Sequence, residues 1–412
     1  MTEQDRPEGA AAPSPSPAPS TRQIHHPYQA PAGYEAITPP VWKGSTVLFP
    51  DVAALRSRDW IDKTQYTYGL HGTPTLFTLE QRLATLEGGT HCILAPSGLS
   101  ALALVNQGLL SQGDTVLLPD NVYQPNRLLA QNELKRWGIG HRFYDPLDAA
   151  SLQAALGPDV ALVWLEAAGS VTLEFPDLRG LVRTVRAHAP RAVLALDNTW
   201  GCGLAFDAFD LGEGHAVDLT IHALTKYPSG GGDVLMGSVV TRDKALHDRL
   251  WRLHGALGLG VGANDVELVL RGLPSVALRY AAQDAAARRI AAWAQQQPAI
   301  RRVLHPALPG SPGHEHWASH CRAAAGLLTL EFDPAIRAAE VDAFVDRLQR
   351  FGIGWSWGGP MSLAVPYRAA GMRSLPTAYT GTLVRLCIGL EAPEDLIADL
   401  AQSLAAVALP AG

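Results

Sequence analysis

The residues best placed to do chemistry are Lys226 and Asp197, each at the end of an apolar run. Lys226 follows Leu219-Thr220-Ile221-His222-Ala223-Leu224-Thr225 and opens into Tyr227-Pro228-Ser229-Gly230-Gly231-Gly232-Asp233. Asp197 closes Ala192-Val193-Leu194-Ala195-Leu196. A lysine where a strand empties into a glycine-rich loop is poorly solvated, because its stem lies along the sheet and neighbouring chain comes close. Its amine can form a Schiff base, and an aspartate on the same sheet edge can hold a pyridine nitrogen protonated; pyridoxal phosphate needs this pairing. Each residue also has an ordinary reading: a solvated lysine ahead of a flexible loop, and a capping aspartate in Asp197-Asn198-Thr199.

The same cofactor needs a phosphate site. Ser97-Gly98-Leu99 lies between a short apolar strand pattern (91–95) and a helical one (101–110), so Gly98 and Leu99 fall at a helix N-terminus. Free backbone N–H groups and the helix dipole favour an anion there. Strand-to-helix turns also contain Ser-Gly for purely geometric reasons. Thr225 could donate a further hydroxyl, or simply satisfy a strand end.

These residues must be positioned by an alternation of elements. Strand patterns at 91–95, 115–118, 141–144, 161–165, 192–196 and 219–222 interleave with helical patterns at 101–110, 125–137 and 178–188. That order predicts an α/β fold with a mostly parallel, helix-covered sheet and ligands at the strands' C-terminal edge. A helix is also expected from Thr78, capped by Thr78 and Gln81 and stopped by Gly88-Gly89. After about residue 265 the pattern changes to helices at 274–297, 339–351 and 393–406 with strands at 327–332 and 382–388, a smaller α+β domain.

Composition excludes several classes. At 412 residues and 47% hydrophobic content the chain can bury a sizeable core. Its 33 Lys and Arg against 39 Asp and Glu, a net charge of −6, lack the surplus of a phosphate-backbone binder. Cys92, Cys202, Cys321 and Cys387 are widely scattered, without a zinc-ribbon or redox spacing, which fits a reducing cytoplasm. No run of about 18 apolar residues suggests a membrane span. The Pro-, Ala- and Ser-rich first twenty residues read as a disordered tail rather than a signal peptide. His314-Glu315-His316 with His320 is not HExxH, so no metal is expected. P-loop, dinucleotide and GxSxG motifs are lacking.

Beyond residue 21 the chain resembles the Cys/Met-metabolism family of pyridoxal-phosphate-dependent enzymes, and within it the cystathionine β-lyase branch. The matching segments are Pro39-Pro40-Val41 with Ser45-Thr46-Val47-Leu48-Phe49, Leu86-Glu87-Gly88-Gly89, Asp197-Asn198-Thr199-Trp200, Thr225-Lys226-Tyr227, and His305 to Ser311. Ser356-Trp357-Gly358-Gly359 and Arg385-Leu386-Cys387-Ile388-Gly389-Leu390-Glu391 complete the set, the tryptophan being typical of β-lyases where γ-acting relatives carry leucine.

The resemblance implies a fold-type I PLP-dependent transferase-like architecture. It implies that Lys226 bonds to the cofactor and acts on the substrate with Tyr123, which stacks on the ring. Asp197 would pair with the pyridine nitrogen, and Gly98, Leu99 and Thr225 would hold the phosphate. Tyr68 of the neighbouring subunit would add phosphate and substrate contacts, Arg385 would fork onto the α-carboxylate, and Ser356 and Trp357 would line the pocket. Where relatives read Tyr-Gly-Arg, this chain has Tyr68-Gly69-Leu70-His71, and His71 is the candidate replacement for the phosphate-binding arginine. Gly230-Gly231-Gly232-Asp233 replaces Gly-His-Ser-Asp, and Glu213-Gly214-His215 reads as an inserted loop.

The resulting expectations are a tail (1–21), an arm contacting a partner subunit (22–72), a cofactor-binding domain (73–268) and a C-terminal domain (269–412). The implied activity is β-elimination of L-cystathionine in methionine biosynthesis, by a cytoplasmic homodimer with shared sites that assembles into a homotetramer. Alternatives are a cysteine or cystine desulfhydrase, a γ-lyase, a γ-synthase, or a non-catalytic binding protein on the same fold.

Overall fold

Runs such as Val116-Leu117-Leu118 and Leu194-Ala195-Leu196 are buried on both faces, which suits central strands covered by helices on either side. The computed structural model describes residues 17–26, 33, 36–369 and 371–407. Its larger sheet contains β1 (His91–Ala95), β2 (Thr115–Pro119), β3 (Gly140–Tyr144), β4 (Val160–Glu166), β5 (Val193–Asp197), β6 (Leu219–Ala223) and β7 (Gly237–Thr241), in the order β1-β7-β6-β5-β4-β2-β3. All pairings are parallel except those of β7, which runs antiparallel to both β1 and β6. The expectation of a mostly parallel, helix-covered sheet holds. The sequence reading lacked β7, which takes a hairpin-like return from the loop after Lys226.

A second sheet contains β8 (Ile300–Leu304), β9 (Leu327–Phe332), β10 (Gly352–Ile353), β11 (Leu363–Arg368) and β12 (Thr382–Cys387), ordered β10-β11-β12-β9-β8. Its core packs Phe332, Phe344, Leu328, Val384 and Leu386 together.

Residues 1–16 of the expected tail lie outside the described residues. Pro19–Ile24, which spans its last three positions, is the short helix α1, and Gln23 Nε2 donates to Arg82 O at 3.3 Å. The stretch expected as an arm, 22–72, includes α2 (Val52–Ser57), and its positions 27–32, 34 and 35 lie outside the described residues. Next comes α3 (Pro74–Glu87), where the structure corrects the capping box expected at Thr78. Thr73 is the N-cap, Pro74 opens the helix, and Thr78 donates back to Pro74 O from inside it. Gly88 ends α3 at φ 80°, as a left-handed C-cap requires. The helix that matters most to the site is α4 (Gly98–Leu109), which starts directly from the end of β1.

Candidate active site

Lys226 leaves the end of β6 in a tight turn, its N–H donating to Ala223 O (3.0 Å) while its own carbonyl accepts from Gly230 N (3.0 Å). The side chain reaches the smaller sheet, where Nζ donates to Ser356 Oγ at 3.0 Å and sits 5.5 Å from the Trp357 ring centroid. Gly358 makes this approach possible. It holds φ 78°, and a Cβ there would lie 2.8 Å from Tyr227 N. Burial, followed by the Arg385 guanidinium, brings the Lys226 amine down to a pKa of about 8. An amine so poised is part neutral near physiological pH and can act as nucleophile or base.

Asp197 ends β5 in register with Glu166 of β4 on one side and Ile221 of β6 on the other. Thr199 donates to Asp197 Oδ1 twice, from its backbone N (3.0 Å) and from Oγ1 (2.6 Å), and Thr199 Oγ1 accepts in turn from Ala223 N (3.0 Å). The aspartate is therefore tied to the strand that delivers Lys226. Burial raises its pKa, against the pull of the Thr199 bonds. Glu166 is pushed well up by burial and by Asp197, and its Oε2 accepts Tyr123 N at 2.8 Å. A cationic ring nitrogen against Asp197 would offset the desolvation that now disfavours the carboxylate.

A buried glutamate clamps these strand ends from behind. Glu87 Oε2 accepts Asn198 Nδ2 (2.7 Å), and Glu87 Oε1 lies 3.1 Å from His222 Nδ1. Glu87 thus joins the neighbour of Asp197 to a residue four before Lys226. Sequence reasoning saw Glu87 only as part of a matching motif; its fixed place before Gly88-Gly89 was the signal available.

At the expected phosphate end, Ser97 caps α4 by accepting Ser100 N at 3.0 Å. Gly98 and Leu99 fall in the first turn, where backbone N–H groups have no intrahelical acceptor. A Cβ on Gly98 would sit 2.6 Å from Ala223 Cβ, so glycine lets α4 begin against the end of β6. Thr225 hydrogen-bonds the backbone of Met236, accepting its N–H at 3.3 Å. The Tyr123 phenol is raised by burial, then by Asp197 and Glu166.

Arg385 lies on β12 opposite Val365 and Thr329, buried, with its guanidinium 5.5 Å from the Tyr367 ring centroid. Its Nε has no hydrogen-bond partner among the described residues. Two residues on, the Cys387 thiol donates to Ser356 O at 3.1 Å and holds the loop that meets Lys226. Neither Tyr367 nor Cys387 stood out as a site residue in the sequence.

The structure thus gathers Lys226, Asp197, Tyr123, Arg385, Ser356 and Trp357, with Gly98, Leu99 and Thr225 at the adjoining helix start and loop. Tyr68 and His71 are on the arm. Tyr68 is 47% exposed and meets the edge of His71. His71 accepts or donates through Nδ1 to Thr67 Oγ1 (3.0 Å) and stacks on Trp60 at 4.8 Å. Burial lowers its pKa. His314 of the His-rich stretch bonds Pro306 O, and among the described residues no group of three His, Cys, Asp or Glu side chains could hold a metal. A cavity of about 240 Å³ lies elsewhere, between Trp42, Lys43 and Gly69 of the arm and Gly262 to Asn264.

Compared with known proteins, residues 20–405 match the family described as Cys/Met metabolism PLP-dependent enzyme. The chain belongs to this family. The cystathionine beta-lyase of Bordetella avium is 38% identical over 384 residues, covering 92% of this chain and 94% of the relative. An L-alanine/L-glutamate racemase of Wolbachia pipientis wMel is 33% identical over 382 residues, covering 90% of this chain and 93% of the relative. The cystathionine gamma synthase of Xanthomonas oryzae pv. oryzae, solved with aminoacrylate and cysteine, superposes with a TM-score of 0.85 at 30% identity, covering 95% of this chain and 98% of that one. This chain is accordingly a fold-type I enzyme whose cofactor is pyridoxal phosphate. Its own residues fit that group: an amine at lowered pKa, a buried carboxyl at the end of the neighbouring strand and an open helix N-terminus.

Proposed function

We propose that this enzyme is a carbon–sulfur lyase that cleaves L-cystathionine by β-elimination, giving homocysteine, pyruvate and ammonia for methionine biosynthesis. The observation that carries the reading is Lys226 Nζ bonded to Ser356 Oγ and facing Trp357, with Arg385 close enough to depress the amine. Lys226, Asp197, Tyr123, Gly98, Leu99 and Thr225 would hold the cofactor, which when bound supplies an electron sink for negative charge at the substrate's Cα.

Arg385 receives the α-carboxylate on its unpaired Nε edge, a planar, bidentate task. Lys226, near half-neutral at pH 8, removes the Cα proton while Ser356 Oγ keeps its amine oriented. The Cβ–S bond breaks, sulfur leaves with a proton as homocysteine, and the three-carbon remainder takes up water to give pyruvate and ammonia. We infer that the working form is a homo-oligomer in the cytoplasm, a dimer with shared sites that pairs into a tetramer. The exposed Trp42, Leu48 and Tyr68 of the arm, and the lack among the described residues of any helix able to cross a membrane, support this.

Product analysis tests the reaction. Pyruvate with one equivalent of homocysteine supports β-elimination, whereas 2-oxobutyrate from the same substrate overturns it in favour of γ-elimination. The racemase relative favours a second reading, in which Lys226 returns the proton to Cα. D-alanine formed from L-alanine at a rate exceeding pyruvate release from cystathionine would establish that one.

A further inference from the structure

Two buried ion pairs hold the connection between β11 and β12 against the larger sheet. Asp120, three residues before Tyr123, accepts Ser374 N (2.8 Å) and Leu375 N (3.0 Å), and pairs with Arg127 at 2.7 Å. Arg127 also donates to Ser374 Oγ at 2.7 Å and lies 3.9 Å from the Phe143 ring centroid. Beside it, Arg373 pairs with Glu174 at 2.7 Å, and Glu174 also accepts Asn121 Nδ2 (2.7 Å) and Tyr379 OH (2.8 Å). Asp120 and Arg127 are only 3% and 4% exposed.

Buried ion pairs contribute little net stability, because desolvation offsets their attraction, yet separating the partners leaves an uncompensated buried charge, so each pair resists being pulled apart. Here they fix residues 120 and 121, just ahead of Tyr123, to a connection whose two strands carry Tyr367 and Arg385. Tyr123 belongs to the larger sheet's edge and Arg385 to the smaller sheet. Neither sheet sets their separation alone.

We propose that Arg373, together with Asp120, is a positioning residue: the double latch holds Arg385 at the distance from Tyr123 that the substrate carboxylate requires. This rests on the reading of Arg385 as the carboxylate-binding residue. Steady-state kinetics on the holoenzyme, with L-cystathionine or whichever amino acid the product assay identifies, separates the two claims. Arg385→Ala decides the underlying reading, which fails if KM is unchanged. With KM raised in Arg385→Ala, Arg373→Met is expected to raise KM about tenfold at a kcat within about twofold, as loss of uniform binding does. In the Arg385→Ala background the same change should add nothing, because both act through one contact. Asp120→Asn should give the same pattern and decides the matter if Arg373→Met does not fold. An unchanged KM in the single variants, or an equal increment in the Arg385→Ala background, overturns the proposal and leaves the latch a structural clamp.

Discussion

Lys226 Nζ and Ser356 Oγ, 130 positions apart in sequence, are joined by a 3.0 Å hydrogen bond. The lysine hangs from the larger sheet and the serine from the loop ahead of β11, so the site exists only where the two sheets meet. Cys387 and Gly358 secure the serine's loop, and Thr199 and Glu87 secure the strand ends behind the lysine. The chemistry proposed for Lys226 depends on both halves.

The amine's pKa of about 8 makes cofactor uptake pH-dependent. Cofactor-free protein should combine with pyridoxal phosphate at a rate that rises with pH around a midpoint near 8, followed by stopped-flow absorbance. Arg385→Leu should move that midpoint upward, because the guanidinium is the second cause of the depression. A midpoint close to the ordinary lysine value of 10.5 contradicts the burial argument. The stability sign is set by the same shift. Between about pH 8 and 10.5 the unfolded chain keeps a proton that the folded chain has released, so this lysine's contribution to stability rises with pH across that window.

Asp197→Asn keeps the side chain's shape but removes the charge proposed for the ring nitrogen. The variant should still bind cofactor through Lys226 while kcat falls about 10²–10³-fold, the usual scale for losing one fixed electrostatic contact to the reacting centre. Normal kcat in this variant would return Asp197 to a capping role.

Gly98→Ala brings a Cβ within 2.6 Å of Ala223 Cβ, backed by the strand that leads to Lys226. The start of α4 must shift to accommodate it, at a cost of about 1–3 kcal/mol. Thermal unfolding of the cofactor-free protein should show that loss, and equilibrium titration should show weaker cofactor binding. Unaltered affinity with lowered stability would separate Gly98 from the phosphate.

Much of this was legible in the sequence because it rests on local rules. Asp197, Lys226 and the Gly98-Leu99 helix start each lie where a periodic pattern ends, and the parallel sheet follows from strand and helix alternation. The capping box at Thr78 misled because Thr73-Pro74 starts the same helix one turn earlier, with Pro74 at the position its fixed φ suits. What could not be read was tertiary. Nothing local marks β7 as antiparallel, Glu87 as the clamp behind Asp197, or Cys387 as the partner of the Ser356 carbonyl, since each depends on which distant segment packs beside it. His71 shows the same limit. The resemblance made it the candidate replacement for arginine, and only the fold shows its ring beside Thr67 and Trp60.

Glu87→Leu should leave Asn198 Nδ2 and His222 Nδ1 without their shared acceptor, destabilising the protein by about 1–3 kcal/mol for each orphaned group. Urea unfolding of the cofactor-free protein measures it. Stability equal to the parent would show that the clamp is dispensable.

The central claim is that Lys226 is the residue that bonds the cofactor. Borohydride reduction of the holoenzyme, followed by proteolysis and mass spectrometry, tests it most directly. The reduced pyridoxal phosphate should be found on the peptide containing Thr225-Lys226-Tyr227, attached to Lys226, and Lys226→Ala should take up no label and show no turnover. Label on any other lysine, or full turnover in Lys226→Ala, would contradict the account.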